Sequence, residues 1–225
     1  MTQPPAATRT TRPSADATRE RILVAALELF SELSFEGATT REIAARAGVG
    51  QPLLNYHFKS KDELWRSAAD LLFAELNAAL GARIEGLRGV DDLTLAKLIV
   101  REFVHFSAAH PQLHRIITQE CKVDGSRIDW LVERHIRPVY QFTEALFAGL
   151  VERGEMVAIP PAHIYYIIIG AGATIFTLAP ECRRLAGFDP SEPGPVEVHA
   201  NAIETLLFGR PWAGDQPRRR ATGSA

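Results

Sequence analysis

Apolar residues recur every three or four positions through most of this 225-residue chain, the spacing that lines one face of an α-helix. Ile22, Ala26, Leu29, Phe30 and Leu33 mark a first helix from about Asp16, and Ser34 to Ala38 reads as the turn after it. Thr39 and Glu42 have the spacing of a capping box, so a short helix beginning there buries Ile43, Ala44 and Ala47. Gly48 stands where a helix end calls for left-handed backbone, and Val49 plugs the corner. Gly50 opens the next helix, with Pro52 in its first turn, where a missing amide hydrogen does little harm; Leu54 and Phe58 anchor it. Ser60 and Glu63 repeat the capping-box spacing and start a long helix carrying Leu64, Ala68, Leu72, Leu76 and Ala79 toward Gly81.

Further along, Asp91 or Asp92 caps a helix with Leu95, Leu98, Ile99, Phe103 and Phe106. His110-Pro111 ends it and opens a short helix through about Cys121; Lys122 to Gly125 is a loop. A long helix from about Arg127 to Arg153 is expected to kink at Pro138, where a bond is lost and the ring meets the preceding turn. Ile164, Ile167, Ile168, Ala171, Ile175 and Leu178 lie on a helix apolar almost all round, with Gly170 and Thr174 as a small-residue face. After the Pro- and Gly-rich loop Gly187 to Pro195, a last helix with Val196, Ala200, Ile203 and Leu207 stops at Gly209-Arg210-Pro211. Two helices this apolar need partners on more than one side. The pattern gives about nine helices and an all-α fold class; Val157-Ala158-Ile159 is too short to argue for a sheet. Residues 1–14 and 211–225 have no apolar period and are expected to be a disordered arm and tail, with Arg9 and Arg12 in the first and Arg218 to Arg220 a solvated cluster in the second.

The chemistry of the second short helix separates it from the rest. With Leu54 and Phe58 turned inward, Gln51, Pro52, Leu53, Asn55 and Tyr56 face out. Gln and Asn can pair with an adenine edge, and Pro and Leu can touch a thymine methyl. Arg41 can reach guanine or a phosphate; the free amides after Ser60, with Lys59 and Lys61, make a phosphate site. Two short helices around a Gly turn, the second built this way, describe a helix-turn-helix lying in the major groove. The candidate DNA contacts are Thr40, Arg41, Gln51, Pro52, Leu53, Asn55, Tyr56, His57 and Lys61.

This stretch resembles the tetracycline-repressor-like (TetR) regulators, whose amino-terminal domain follows T-x-x-x-I-A-x-x-A-G-V-S-x-x-x-L-Y-x-H-F-x-S-K-x-x-L. The chain matches at Thr39, Ile43, Ala44, Ala47, Gly48, Val49, Leu54, His57, Phe58, Ser60, Lys61 and Leu64. It departs at Gly50, Leu53 and Asn55, so the resemblance carries the docking mode and leaves the base sequence open. The resemblance implies a three-helix DNA-binding domain at 15–62 and a helical ligand-binding and dimerisation domain at 63–210. It also implies a homodimer through the last two helices on a palindromic operator, and a repressor released by a small, largely apolar ligand. For that ligand the candidates are Phe103, Phe106, Trp130, Phe142, Tyr165, Tyr166 and Phe176 as apolar walls, with His105, Arg115, Glu120, His135 and Thr174 to orient it.

Charge and composition narrow the alternatives. A formal charge of −2 does not suit a protein that coats DNA, and residues 1–66 hold nine Lys/Arg against eight Asp/Glu. Positive charge is therefore a matter of placement, and specific contacts matter more than bulk attraction. Cys121 and Cys182 have no paired spacing, as in a reducing cytosol. The most membrane-like run, Ile164 to Ala179, has 16 residues, short of the roughly 18 a spanning helix needs, so a cytoplasmic protein is expected. His105, His110 and His114 lack a thiol or carboxylate in ligand spacing, and neither metal nor cofactor is expected. No G-x-S-x-G, H-E-x-x-H or phosphate loop supports an enzyme. A DNA-binding adaptor without a small-molecule effector is the remaining alternative.

Overall fold

The computed structural model describes residues 14–85, 89–156 and 158–209. The expected arm up to Pro13, the expected tail, Arg210-Pro211 and Val157 lie outside these, while Ser14, the last residue of that arm, belongs to the described chain as a helix cap. The described residues are helical, with no strand among them. The helices divide into two compact units that meet in sequence between Leu72 and Phe73.

The first unit contains α1 (Ala15–Gly37), α2 (Thr40–Arg46), α3 (Gln51–His57) and the start of α4 (Lys61–Glu85). Ser14 caps α1, its hydroxyl accepting from the Ala17 amide at 3.2 Å. The helix buries Ile22, Leu23, Ala26, Leu29 and Phe30, about 1.5–3 kcal/mol for each large side chain. The turn expected from Ser34 appears as a break inside α1: Ser34 has φ 63° and ψ 174°, backbone that side chains other than Gly rarely adopt. Such a residue costs on the order of 1–3 kcal/mol and persists only where its surroundings over-determine it. Here the Ala38 amide donates to the Ser34 carbonyl at 3.2 Å, and Phe35 stacks on buried Phe30. Against this platform lie Ile43 and Ala44 of α2, Leu54 of α3, Phe58, and Leu64, Trp65 and Ala68 of α4, all buried.

The second unit continues α4 and adds α5 (Asp92–Ala109), α6 (Pro111–Glu120), α7 (Ser126–Leu131), a π-helical turn (Val132–Ile136), α8 (Arg137–Glu152), α9 (Pro161–Thr177), α10 (Ala179–Leu185) and α11 (Pro193–Phe208). Its core is Val100 and Val104 of α5, Phe147 and Leu150 of α8, Ile164, Ile168 and Phe176 of α9, and Val196, Ala200, Ile203 and Leu207 of α11. Asp91 caps α5 by accepting from the Thr94 amide at 3.0 Å, and Gly209 ends α11 in left-handed backbone at φ 66°.

Two features depart from the sequence reading. Helix α7, the π-turn and α8 form the expected long rod, but its irregularity comes before Pro138. Pro138 sits in the first turn of α8, and the Arg137 amide reaches back to the Val132 carbonyl across the widened turn. One extra residue per turn there relieves the clash between the Pro ring and the preceding carbonyls, which a sharp kink would otherwise have to do. Secondly, the apolar run of α9 does not continue to Pro180. The chain turns by 73° and starts α10, where Pro180 occupies the first turn and its missing amide is harmless. With that addition the helical rods number ten among the described residues. No single described helix is long and apolar enough to cross a membrane.

Candidate nucleic-acid interface and internal cavity

The corner between α2 and α3 is built from backbone. Thr39 and Glu42 make the full capping box: the Glu42 amide donates to Thr39 Oγ1 at 3.2 Å, and the Thr39 amide donates to the Glu42 carboxylate at 3.1 Å. Hydrogen bonds from the Thr39 side chain and backbone hold the Glu42 carboxyl below its ordinary range. At the other end Val49 N–H bonds to Ala44 O at 2.9 Å and Gly48 N–H to Ala45 O at 3.1 Å. This is a Schellman closure with Gly48 at φ 65°. Arg21 of α1 adds what the sequence did not reveal: its guanidinium donates to the carbonyls of Ala47 and, at 3.2 Å, of Gly48, covering the carbonyl end of α2. A Cβ on Gly48 would stand 3.2 Å from that guanidinium. Arg46 pins α2 to Glu32 of α1 at 3.0 Å.

This frame turns one side of α3 outward. Leu54 is its buried residue, while Pro52, Leu53, Asn55 and Tyr56 are exposed, Tyr56 at 80%. Arg41 is exposed on α2. Gln51 is half-buried and committed within the protein: its Nε2 donates to Thr40 Oγ1 at 3.0 Å and to Asn55 Oδ1 at 3.2 Å. Those two bonds join three of the candidate contacts in one polar network. His57 is half-buried between the rings of Tyr56 and Phe58. A shallow concavity beside them brings Thr40, Asn55 and Lys61 together with Lys59 and Ser60. Ser60 caps α4 through the Glu63 amide at 3.0 Å, but the Glu63 carboxylate takes the Lys59 amide at 2.9 Å, one residue earlier than a capping box. The Lys61 ammonium lies 4.5 Å from the Phe35 ring centre and 3.4 Å from the Glu36 carbonyl, on the side of α1's last turn.

The second unit holds a cavity of about 110 Å³. Phe73, Leu76 and Leu80 of α4, Ile99, Phe103 and Ser107 of α5, and Leu113, His114 and Ile117 of α6 line one part of it. His135 and Ile136 of the π-turn, Val139, Thr143 and Phe147 of α8, and Tyr165, Ile168 and Ile169 of α9 line the rest. The His135 ring stacks on Phe73 with centroids 4.3 Å apart. Burial pushes His114 below the ordinary histidine range and the Tyr165 phenol up to about 12, with Tyr166, Cys121 and Tyr140 adding to the latter. Thr143 Oγ1 donates to the Val139 and Tyr140 carbonyls, so its polarity is spent within α8.

Of the twelve ligand candidates the cavity gathers Phe103, His135 and Tyr165, while Phe176 is buried in the core and His105 faces Glu197 at 3.1 Å. Trp130 meets His135 edge-on at 5.2 Å without reaching the space. Phe106 is buried elsewhere, stacked on His110 at 4.3 Å. Arg115 donates to the Thr177 carbonyl, and Glu120 pairs with Arg127 at 2.9 Å, each held by its own partner. Phe142 is 49% exposed on α8. Tyr166 and Thr174 share an exposed stripe of α9 with His163, Ile167 and Gly170, so the residue before Tyr166 is the one turned inward. His114 was within reach of the same periodicity that placed Phe103 and Tyr165; Leu80, Val139 and Ile169 carry no chemical signal in sequence.

Comparison with known proteins locates a family model over residues 22–68, described as bacterial regulatory proteins of the tetR family. The chain is 28% identical over 175 residues to the HTH-type transcriptional regulator RutR of Escherichia coli, covering 76% of this chain and 79% of that one. The class C tetracycline repressor protein of Escherichia coli is 44% identical over 54 residues, 24% of this chain and 25% of the repressor. Among solved structures, AibR in complex with isovaleryl coenzyme A and operator DNA superposes with a TM-score of 0.68 at 17% identity. That match covers 85% of this chain and 98% of AibR.

Proposed function

We propose that the chain is a TetR-family transcriptional regulator and, from that premise, a homodimeric repressor released from a palindromic operator by a small, largely apolar ligand. The observation that carries the DNA reading is the outward side of α3, where Pro52, Leu53, Asn55 and Tyr56 are exposed on a helix held by a fixed corner. Each half-site then takes one α3 in the major groove, with the two copies about 34–36 Å apart or a comparable spacing. Arg41 and Asn55 are the base-reading candidates, Tyr56 and Lys61 the backbone contacts, with Thr40, Gln51 and His57 behind them. Leu53 and Pro52 offer apolar surface to thymine methyls.

Support for the dimer comes from two stripes. Tyr166, Ile167, Gly170 and Thr174 are exposed along α9, and Gly194, Val198, Ala202 and Leu206 along α11, with Leu206 68% exposed. Small and apolar residues at four-residue spacing on neighbouring helices fit a self-complementary two-fold contact. The cavity supports the ligand. To release the operator, the ligand must favour the off-DNA arrangement by a few kcal/mol of differential binding. Selection of bound duplexes from a random pool tests the reading: an enriched palindrome is expected, and a pool without one overturns it.

A further inference from the structure

We infer that the cavity of the second unit takes an uncharged molecule about the size of one aromatic ring, carrying a hydrogen-bonding oxygen that meets the Tyr165 hydroxyl. This rests on the ligand-sensing reading above and narrows it to a chemical class.

Three observations carry it. No Asp, Glu, Lys or Arg lines the cavity among the described residues. An ion placed there would lose its water without gaining a counter-charge, the most costly kind of burial. Burial also disfavours charge on two of the walls, with His114 pushed down and Tyr165 pushed up to about 12. Size is the second observation: the cavity is about 110 Å³, and an apolar cavity of roughly 150 Å³ already holds benzene. A long acyl chain does not fit that space unless walls move. The aromatic wall is also fixed from behind, since a Cβ on Gly172 would stand 2.8 Å from the Phe103 ring. Bare α9 backbone therefore sets how far Phe103 stands back from the cavity.

The third observation is the polar provision. The Thr143 hydroxyl is spent on its own helix. Among the described residues none hydrogen-bonds the Tyr165 hydroxyl, while the ring is held edge-on by Tyr140 at 5.2 Å and by Tyr166 at 5.3 Å. A neutral phenol offers a donor to a carbonyl or ether oxygen, a bond that a guest unable to accept forgoes.

The test uses the full chain and three one-ring probes at pH 7.5: acetophenone, which is neutral with an acceptor; toluene, neutral without one; and benzoate, an anion. Calorimetry is expected to find acetophenone binding once per chain and benzoate at least tenfold weaker. Tyr165→Phe should weaken acetophenone about tenfold and leave toluene unchanged. If that variant misfolds, magnetisation transfer from the acetophenone methyl to labelled Phe and Tyr rings of the wild-type chain locates the probe instead. Benzoate binding as tightly as acetophenone, no acetophenone binding up to its solubility, or transfer to no Phe or Tyr ring would each overturn the assignment. Operator binding with the same probes separates this inference from the sensing reading. Acetophenone seated in the cavity with operator affinity unchanged leaves the ligand class standing and removes release by that class. Release by benzoate without acetophenone binding does the reverse.

Discussion

Gly48 is where backbone geometry and DNA recognition meet, and a substitution series there can be worked through. The residue has φ 65°, and its missing Cβ would stand 3.2 Å from the Arg21 guanidinium. An L side chain in left-handed backbone costs roughly 1–2 kcal/mol. Arg21 must give a few tenths of an ångström or lose its bonds to the Ala47 and Gly48 carbonyls, each worth about 0.5–1.5 kcal/mol. Gly48→Ala should therefore destabilise the first unit by about 1–3 kcal/mol, the upper end applying if Arg21 is displaced. Gly48→Asn should lose less, because Asn tolerates this backbone, and Gly48→Val should lose most. For a unit of this size each kcal/mol moves the melting point by about 4–8 °C. Scanning calorimetry of the series measures this, alongside operator affinity, which should fall with α3 misplaced. Repeating Gly48→Ala in an Arg21→Ala background isolates the side-chain part, which should vanish and leave the backbone cost. An Ala variant that melts with the wild type, or an Asn variant as damaged as Ala, refutes the account of the corner.

Further outcomes follow from other sites. Tyr56→Ala should reduce operator affinity without altering melting or oligomeric state, since its ring is 80% exposed; unfolding in a thermal scan counts against that placement. Lys61→Ala should weaken specific and random duplexes about equally and lower the salt slope by about one, whereas Arg41→Ala should hurt the operator more than random duplex if it reads a base. Tyr165 has its proton-loss midpoint raised from 10.0 to about 12 by burial. The unfolded chain then loses that proton first as pH rises, so this contribution is intact below pH 10 and is lost between pH 10 and 12. It amounts to about 2–3 kcal/mol at most; urea titrations should find the loss reduced in Tyr165→Phe. Gly172→Ala should push Phe103 toward the cavity and cost about 1–3 kcal/mol by overpacking, read by denaturation and by weakened acetophenone binding.

The helix ends were the most legible part of this chain. Thr39 with Glu42, Gly48, Asp91 and Gly209 act within four residues of themselves, so their chemistry is written where it operates. Arg21 escaped notice because its partners lie 26 and 27 residues away and an Arg on a first helix looks like any solvated charge. The cavity was legible as a kind of place and not as a set of residues. A helix turns about 100° per residue, so Tyr165 and Tyr166 read alike in composition and meet different surroundings, one lining the cavity and the other exposed. Choosing Tyr166, Thr174 and Phe142 by chemical type could not supply that rotation, which packing of α9 and α8 decides. The π-turn compounds this: its extra residue shifts the register between α7 and α8, so a single helical period drawn from Arg127 to Arg153 misplaces one end.

The Gln51 amide, shared between Thr40 and Asn55, bears on how such a regulator changes its operator. A substitution at any one of the three takes a hydrogen bond from another, so their effects should be non-additive. Drift toward a new operator then proceeds through paired changes, with single steps depressed in fitness. Lineages of this protein should alter Thr40, Gln51 and Asn55 together or leave all three alone, while Leu53, which shares no hydrogen bond with them, is free to vary by itself.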